Sequence, residues 1–390
     1  MKNAAHCMLF CLILCSLTAC APPRLELTAR EEAYDPQRDY FPDKLTVRHA
    51  RGFTVEYRRN YKIVRTNASA PDKELPQARA TLVLVERGTP APKLESELAG
   101  AHIITIPART VAVTNNEELA MLRLLGLLDR VVATGGRSIY PEIKAGHHSG
   151  KIQQTGHAGS VNLEAIVMLN PDLLIILSWI GAQQVNVEAA RRLGLPAVAH
   201  HTWLEPTPLG HAEWVKFVAL FFNREREAEE FFSSIESDYL ALAAKAKAAA
   251  RKPTAMWATC YTAGAWQANR NGWIACYLED AGAINTLADG GPPYQIAMAE
   301  EQIVSLATQA EFWFSDNGRQ KRASGLPIQA FRAARNGQIY DPSRVIAEFG
   351  SPDYFGLGMI RPDLMLRDLV LLFHPKLAPG HQLYFLQRQT

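Results

Sequence analysis

The chain has 390 residues, which suits two domains, and 48% of them are hydrophobic, enough for a normal core in each. Lys and Arg number 41 against 39 Asp and Glu, a formal net charge of +2, and no basic run is interleaved with aromatics. That balance excludes a polyanion-binding surface and, with it, a nucleic-acid partner.

The N-terminus reads as an export signal. Lys2 precedes a continuous apolar run over residues 7–17, too short to span a membrane. The following Leu17-Thr18-Ala19-Cys20 resembles the lipobox of bacterial lipoproteins. The resemblance implies that residues 1–19 are a signal peptide and that the sulfur of Cys20 carries lipid. Residues 20–44 are polar and contain Pro22, Pro23, Pro36 and Pro42, as a tether does. Cys7, Cys11 and Cys15 leave with the signal, so Cys260 and Cys276 remain as an even pair in an exported chain. Two outcomes stay open for them, a disulfide or two separate buried thiols.

Beyond the tether, Phe53, Val55 and Tyr57 alternate, Arg58-Arg59-Asn60 turns, and Tyr61 and Ile63 alternate back, which predicts a β-hairpin, with a further strand at 81–85 and a surface loop at 68–78. Strands are expected at 110–114, 131–134, 173–177 and 197–199, with helices at 117–128, 162–169 and 183–193. Short apolar strands alternating with helices imply parallel pairing with both faces covered.

Residues 224–252 then form one long helix. Ala228, Phe231, Phe232, Ile235, Tyr239 and Leu242 make a single apolar stripe, Asn223 is placed to cap it, and Pro253 marks its stop. Acidic residues crowd its start and basic ones its end, which suits the macrodipole. At about 28 residues it is roughly 40 Å long, enough to cross two domains. The β/α pattern returns with strands at 254–259, 312–314 and 338–340, helices at 273–281, 301–307, 327–334 and 362–373, and an edge strand at 382–386. The expected architecture is α/β: two Rossmann-like lobes with mainly parallel sheets, joined by one long bridging α-helix, plus an N-terminal β-hairpin extension. The extension and first lobe occupy 45–205, the bridging segment 206–252 and the second lobe 253–390.

Five segments in this order carry a resemblance. They are PARTVAVTNNEELAMLRLLGLLD from Pro107, NLEAIVMLNPDLLII from Asn162, WIACYLEDAG from Trp273, EQIVSLATQAEFWF from Glu301 and RPDLMLRDLVLLFHP from Arg361. Together they resemble the substrate-binding proteins of ABC importers, in the class that carries iron-siderophore complexes, haem and cobalamin. RHARGFTVEY from Arg48 fits an iron-transport branch of that class. Ala307-Thr308-Gln309-Ala310 departs from the family's second Asn-Pro-Asp, and Gly282-Ala283 from its doubled glycine.

In such a fold the ligand meets loops at the strand ends. Those loops carry Arg137, Tyr140, Trp179, His201 and Trp203 in the first lobe and Tyr261, Trp266, Tyr294 and Arg344 in the second. Aromatic walls suit a macrocycle or aryl chelate, and Arg suits carboxylate or catecholate oxygens. His147, His148, His157, His200 and His201 are placed in loops, where solvated histidines are favoured over metal or haem ligands, and no zinc-site spacing is present. The resemblance further implies one docking glutamate per lobe, Glu164 and Glu301 with Glu300 as a one-residue alternative, engaging basic residues of the two permease subunits.

No phosphate loop, G-x-G-x-x-G or G-x-S-x-G occurs, and Gly146–Ile152 has the wrong spacing for the first. The expectation is a monomeric, lipid-anchored receptor of the periplasm or cell envelope, not an enzyme and without a resident cofactor. It delivers an iron-siderophore, haem or corrinoid-like chelate to an ABC permease, and the continuous helix limits its closure.

Overall fold

The alternating segments close as an antiparallel pair, β1 (Phe53–Tyr57) and β2 (Tyr61–Thr66), in the register Phe53 to Thr66. This computed structural model describes residues 34–66, 79–136, 138–157, 160–178, 187–262, 265–288, 296–316, 328–346 and 352–389. The surface loop expected at 68–78 lies outside them. β3 (Ala80–Glu86) pairs antiparallel with β2, and β4 (His102–Ile106) pairs parallel with β3. The extension is therefore a four-stranded sheet rather than a hairpin. One compact unit spans Asp35–Thr390. The stretch read as a tether already contributes Phe41 to its core, where the Lys62 ammonium lies 4.6 Å from the Phe41 ring centroid.

The first α/β half runs through β5 (Val111–Val113), α1 (Asn116–Leu124), β6 (Val131–Thr134), α2 (Pro141–Ser149), β7 (Gln153–Gln154), β8 (Gly156–His157), β9 (Ser160–Val161), α3 (Leu163–Leu169), β10 (Leu173–Leu177), α4 (Val187–Arg192) and β11 (Ala197–His200). Its sheet is parallel throughout, in the order β11-β10-β5-β6-β7. All five residues of β10 are buried, which is why that strand shows no polar alternation. The capping pattern Asn-x-x-Glu is realised at α1, where Asn115 and Glu118 form a capping box.

Three helices make the bridge: α5 (Pro208–Ala212), α6 (Trp214–Leu220) and α7 (Glu225–Lys247). α7 has 23 residues, so it is roughly 35 Å long. It buries Ala228, Phe232, Ile235, Tyr239, Ala243 and Ala246. Asn223 does not cap it. Its φ is 53°, and its side chain is spent elsewhere: Oδ1 accepts from Lys62 Nζ at 2.8 Å and Nδ2 donates to Glu86 at 2.8 Å. The helix also ends before Pro253, at Lys247, whose carbonyl then accepts from Lys252 Nζ at 2.5 Å.

Buried charge fastens the N-terminal segment to this bridge. Glu213 accepts the backbone N–H groups of Arg48, His49 and Ala50 at 2.6–3.0 Å, and pairs with Lys216 at 2.8 Å. Glu205 accepts those of Arg51 and Gly52 and the Trp214 indole N–H, all at 2.8–3.0 Å. A Cβ on Gly52 would sit 2.5 Å from the Trp214 ring, so only glycine fits. Lys62 is fully buried against Glu225, at the first turn of α7, and donates to the Leu220 carbonyl at 2.9 Å.

The second half comprises β12 (Thr254–Thr262), β13 (Ala265–Ala268), α8 (Gly272–Asp280), β14 (Ile284–Asn285), β15 (Ile296–Met298), α9 (Glu300–Ala307), β16 (Phe312–Phe314), α10 (Arg332–Arg335), β17 (Ile339–Asp341), α11 (Leu357–Ile360), α12 (Pro362–Phe373) and β18 (Gln387–Arg388). Its sheet runs β15-β13-β12-β16-β17-β18, with β14 also on β12, and its β12-β16-β17 centre is parallel. The edge strand arrives at 387–388, later than expected. The N–H groups of Tyr384, Phe385 and Leu386 point instead at the buried Asp368 carboxylate, at 2.8–3.0 Å.

Candidate functional site

In the first half, polar and aromatic groups gather where strands β5, β6, β10 and β11 end. Gly135 lets the β6 end approach the β5 end closely, since a Cβ there would meet the Thr114 carbonyl oxygen at 2.5 Å. Neighbouring carboxylates at the start of α1 each hold a histidine: Glu118 takes His200 at 3.0 Å and Glu117 takes His211 at 3.1 Å. All four side chains are buried. Burial pushes Glu118 up, partly countered by His200, whereas on Glu117 the His211 and His200 charges outweigh burial and carry it down. His200, against this pair, is raised despite its burial.

His201 follows and caps the 3-10 turn Thr202–Leu204 through backbone only. It is buried and neither ring nitrogen has a hydrogen-bond partner. Burial, then the adjacent His200, lowers it to about 3. Trp203 is half-buried, and its indole N–H donates to the Ser178 carbonyl at 2.6 Å, tying the β11 end to the β10 end.

In the second half the corresponding ends carry Thr259, Asp316 and Asp341. Asp316 accepts from Trp257 Nε1 at 2.8 Å, and its N–H donates to Thr259 Oγ1 at 2.8 Å. The two halves touch through helices and turns beside the bridge. Gly356 packs on the Asn116 carbonyl, the Cys276 thiol donates to the Pro206 carbonyl at 3.5 Å, and the His211 ring meets Trp273 edge-on at 5.0 Å. Tyr140, after β6, is raised by burial and then by the nearby Asp353 carboxylate, which burial itself lifts to about 6. Among the described residues no group of three or more His, Cys, Asp or Glu could hold a metal ion.

Two β/α halves joined by a helical bridge are accompanied by a sequence match: residues 111–343 match the periplasmic binding protein family. The chain is a member of the periplasmic binding protein family. It is 24% identical over 321 residues to an uncharacterized lipoprotein of Methanocaldococcus jannaschii, covering 78% of this chain and 74% of that one. Its fold is similar to the periplasmic heme binding protein HutB of Vibrio cholerae, with a TM-score of 0.52 at 15% identity over 68% of this chain and 99% of that one. A periplasmic heme binding protein from Pseudomonas aeruginosa gives 0.51 at 17% identity, over 73% and 98%. The four-stranded N-terminal sheet precedes the part that matches the family.

In this binding protein the structure sorts the expected site residues. His201 and Trp203 follow β11, with His201 buried, whereas Tyr140 is buried before α2 with the Arg123 guanidinium 4.9 Å from its ring centroid. Arg344 is exposed after β17. Trp266 is not at the rim. It is fully buried on β13, tilted against Trp313 at 5.8 Å, because alternation on that strand turns it into the core of the second half. Arg137, Trp179, Tyr294 and Cys20 lie outside the described residues, and Tyr261 is described only as backbone in β12. No disulfide joins Cys260 and Cys276: the first is buried on β12 among apolar side chains, and the second sits on α8. His147 and His148 fall in α2 rather than a loop, with His147 Nε2 2.9 Å from Thr134 Oγ1. Glu164 and Glu301 are exposed on the first turns of α3 and α9, whereas Glu300 is half-buried, 3.4 Å from the Trp266 indole N–H.

Sequence reasoning passed over Glu117, Glu118 and His211. Only Glu118 had a signal, the capping box. The others are recruited by distant elements.

His201 sets a pH dependence. Unfolded, its imidazole takes a proton near 6.5; folded, it does so only at about 3. Between these values the unfolded state binds more protons, so stability falls as the pH is lowered through that window. At pH 5 the loss is on the order of 2 kcal/mol. His200 acts oppositely, since its raised value makes its contribution present below about 6.5 and lost as pH rises through the folded value. Urea unfolding at pH 7 and pH 5 is expected to show a smaller difference for His201→Gln than for the wild type. An equal difference in both refutes the assignment.

Proposed function

We propose that this protein captures an intact metal chelate, of the iron-siderophore, haem or corrinoid kind, outside the cytoplasm and passes it to an ABC permease. The observation that carries the reading is the family match on two β/α halves that touch beside one unbroken helix. Such a frame favours a preorganised cleft, with little ordering left to oppose binding. Half-buried Trp203 and exposed Arg344 supply a flat apolar wall and a cationic fork. The heme-binding names of similar folds favour a planar chelate among the alternatives. Titration with hemin, ferric catecholate and hydroxamate siderophores and cyanocobalamin, followed by tryptophan quenching and visible absorption, is expected to give one saturable 1:1 complex with the chelate intact. Arg344→Ala should weaken it about tenfold or more at an unchanged melting temperature, and Trp203→Ala should weaken it similarly while also lowering the melting temperature, since the bond to the Ser178 carbonyl is lost with the indole. Saturation by none of them, or turnover of the chelate, overturns the proposal.

The anchor is proposed at Cys20. Cys20→Ser is expected to leave the chain unprocessed or without lipid, as read by mass and by membrane fractionation. A Cys20→Ser chain still processed and acylated rejects that position.

Docking is assigned to Glu164 and Glu301, exposed carboxylates on separate halves. Each pair with a basic permease residue is worth only about 0–1 kcal/mol. Engaged together they gain through effective concentration and steering. Glu164→Arg combined with Glu301→Arg should abolish uptake while leaving chelate affinity unchanged, and normal uptake by the double variant sinks the assignment.

A further inference from the structure

The bridge carries a second connection between the halves besides α7. His211, on α5, is buried between them. On one side its Nε2 bonds to Glu117, at the first rim; on the other its ring stands edge-on to Trp273 of α8 at 5.0 Å. From there the aromatic contact continues. Trp273 stacks near Tyr354 at 6.4 Å, Tyr354 near Trp257 at 6.0 Å, and Trp257 donates to Asp316 at the second rim at 2.8 Å. α5 itself packs on both α8 and α11.

We propose that His211 is a positioning residue that couples the two rims: Glu117 fixes its ring, and the ring fixes the Trp273–Tyr354–Trp257 stack that ends on Asp316. Neither of its contacts serves this alone. The carboxylate is buried and loses its bond to His211 if the imidazole turns away, and the edge-on ring contact is made in that same orientation. A shift at the first rim that turns His211 therefore moves the stack in the second half. Linkage makes the effect reciprocal, so a change at Trp273 must be felt at Glu117. The inference holds whatever chelate is bound.

Hydrogen exchange of the full chain tests it. His211→Phe keeps a ring against Trp273 but removes the bond to Glu117. It is expected to speed exchange in Gly272–Asp280 and Leu357–Ile360 by roughly tenfold. Trp273→Leu, which leaves the Glu117 bond possible, is expected to speed exchange in Asn116–Leu124 of the other half. Glu236→Gln serves as control, since it breaks another carboxylate–histidine pair, with His49, on α7. The control should leave all three segments near the wild-type rate. The proposal is overturned if each substitution loosens only its own half, or if β10 and β16 speed up equally, as global destabilisation requires. Should His211→Phe not fold, exchange in Asn116–Leu124 of Trp273→Leu decides alone.

Discussion

Everything beyond the N-terminal sheet depends on how three buried carboxylates are satisfied. Glu205, Glu213 and Glu225 lie on the bridge, and each takes its partners from the first sixty-odd residues. A charge of this kind costs several kcal/mol to take out of water, and is tolerated only when fully ligated. Glu225 is held by the buried Lys62 ammonium, whereas Glu205 and Glu213 are ligated chiefly by backbone N–H groups, which cannot be withdrawn without unfolding the segment that carries them. Residues Arg48 to Gly52 are thus fixed to α5, α6 and α7 by geometry rather than by apolar area. The same lock reaches α7 from outside, where Arg48 bridges Glu229 at 2.6 Å and Glu236 at 2.9 Å.

With its first turn pinned by Lys62 and its middle by Arg48, α7 holds the halves at a set spacing. Movement between them must then be small, because bending the helix breaks backbone hydrogen bonds. That constraint makes the polar rims matter. Glu117 and Glu118 sit side by side in a dry environment, where like charges repel strongly, and each is offset by one imidazole. His201, lacking any partner, stays neutral beside them. The result is a rim whose two carboxylates are each matched by an imidazole.

The motif RHARGF shows how far a local pattern can be interpreted without tertiary structure. Its alternating part, from Phe53, was legible as a strand because period-two burial is a local property. The preceding Arg48 to Gly52 was legible only as a likeness to an iron-transport branch. Its role became plain once Glu205 and Glu213, more than 150 positions away, were seen to accept its N–H groups.

The sequence by itself determined the main alternation of strands and helices, the long bridging helix and the family, because hydrophobic period and short turn motifs act over a few positions. Phe312–Phe314 and Pro362–Phe373 coincide with the expected spans for that reason. Tertiary structure alone decided which polar residues are buried, and with whom. Asn223 has the chemistry of a cap, yet Lys62 and Glu86 claim it; Trp266 has the chemistry of a ligand wall, yet strand alternation turns it inward; Cys260 and Cys276 count as a pair, yet remain unlinked thiols on β12 and α8. Desolvation and long-range hydrogen bonding settle such choices, and neither is encoded in spacing along the chain.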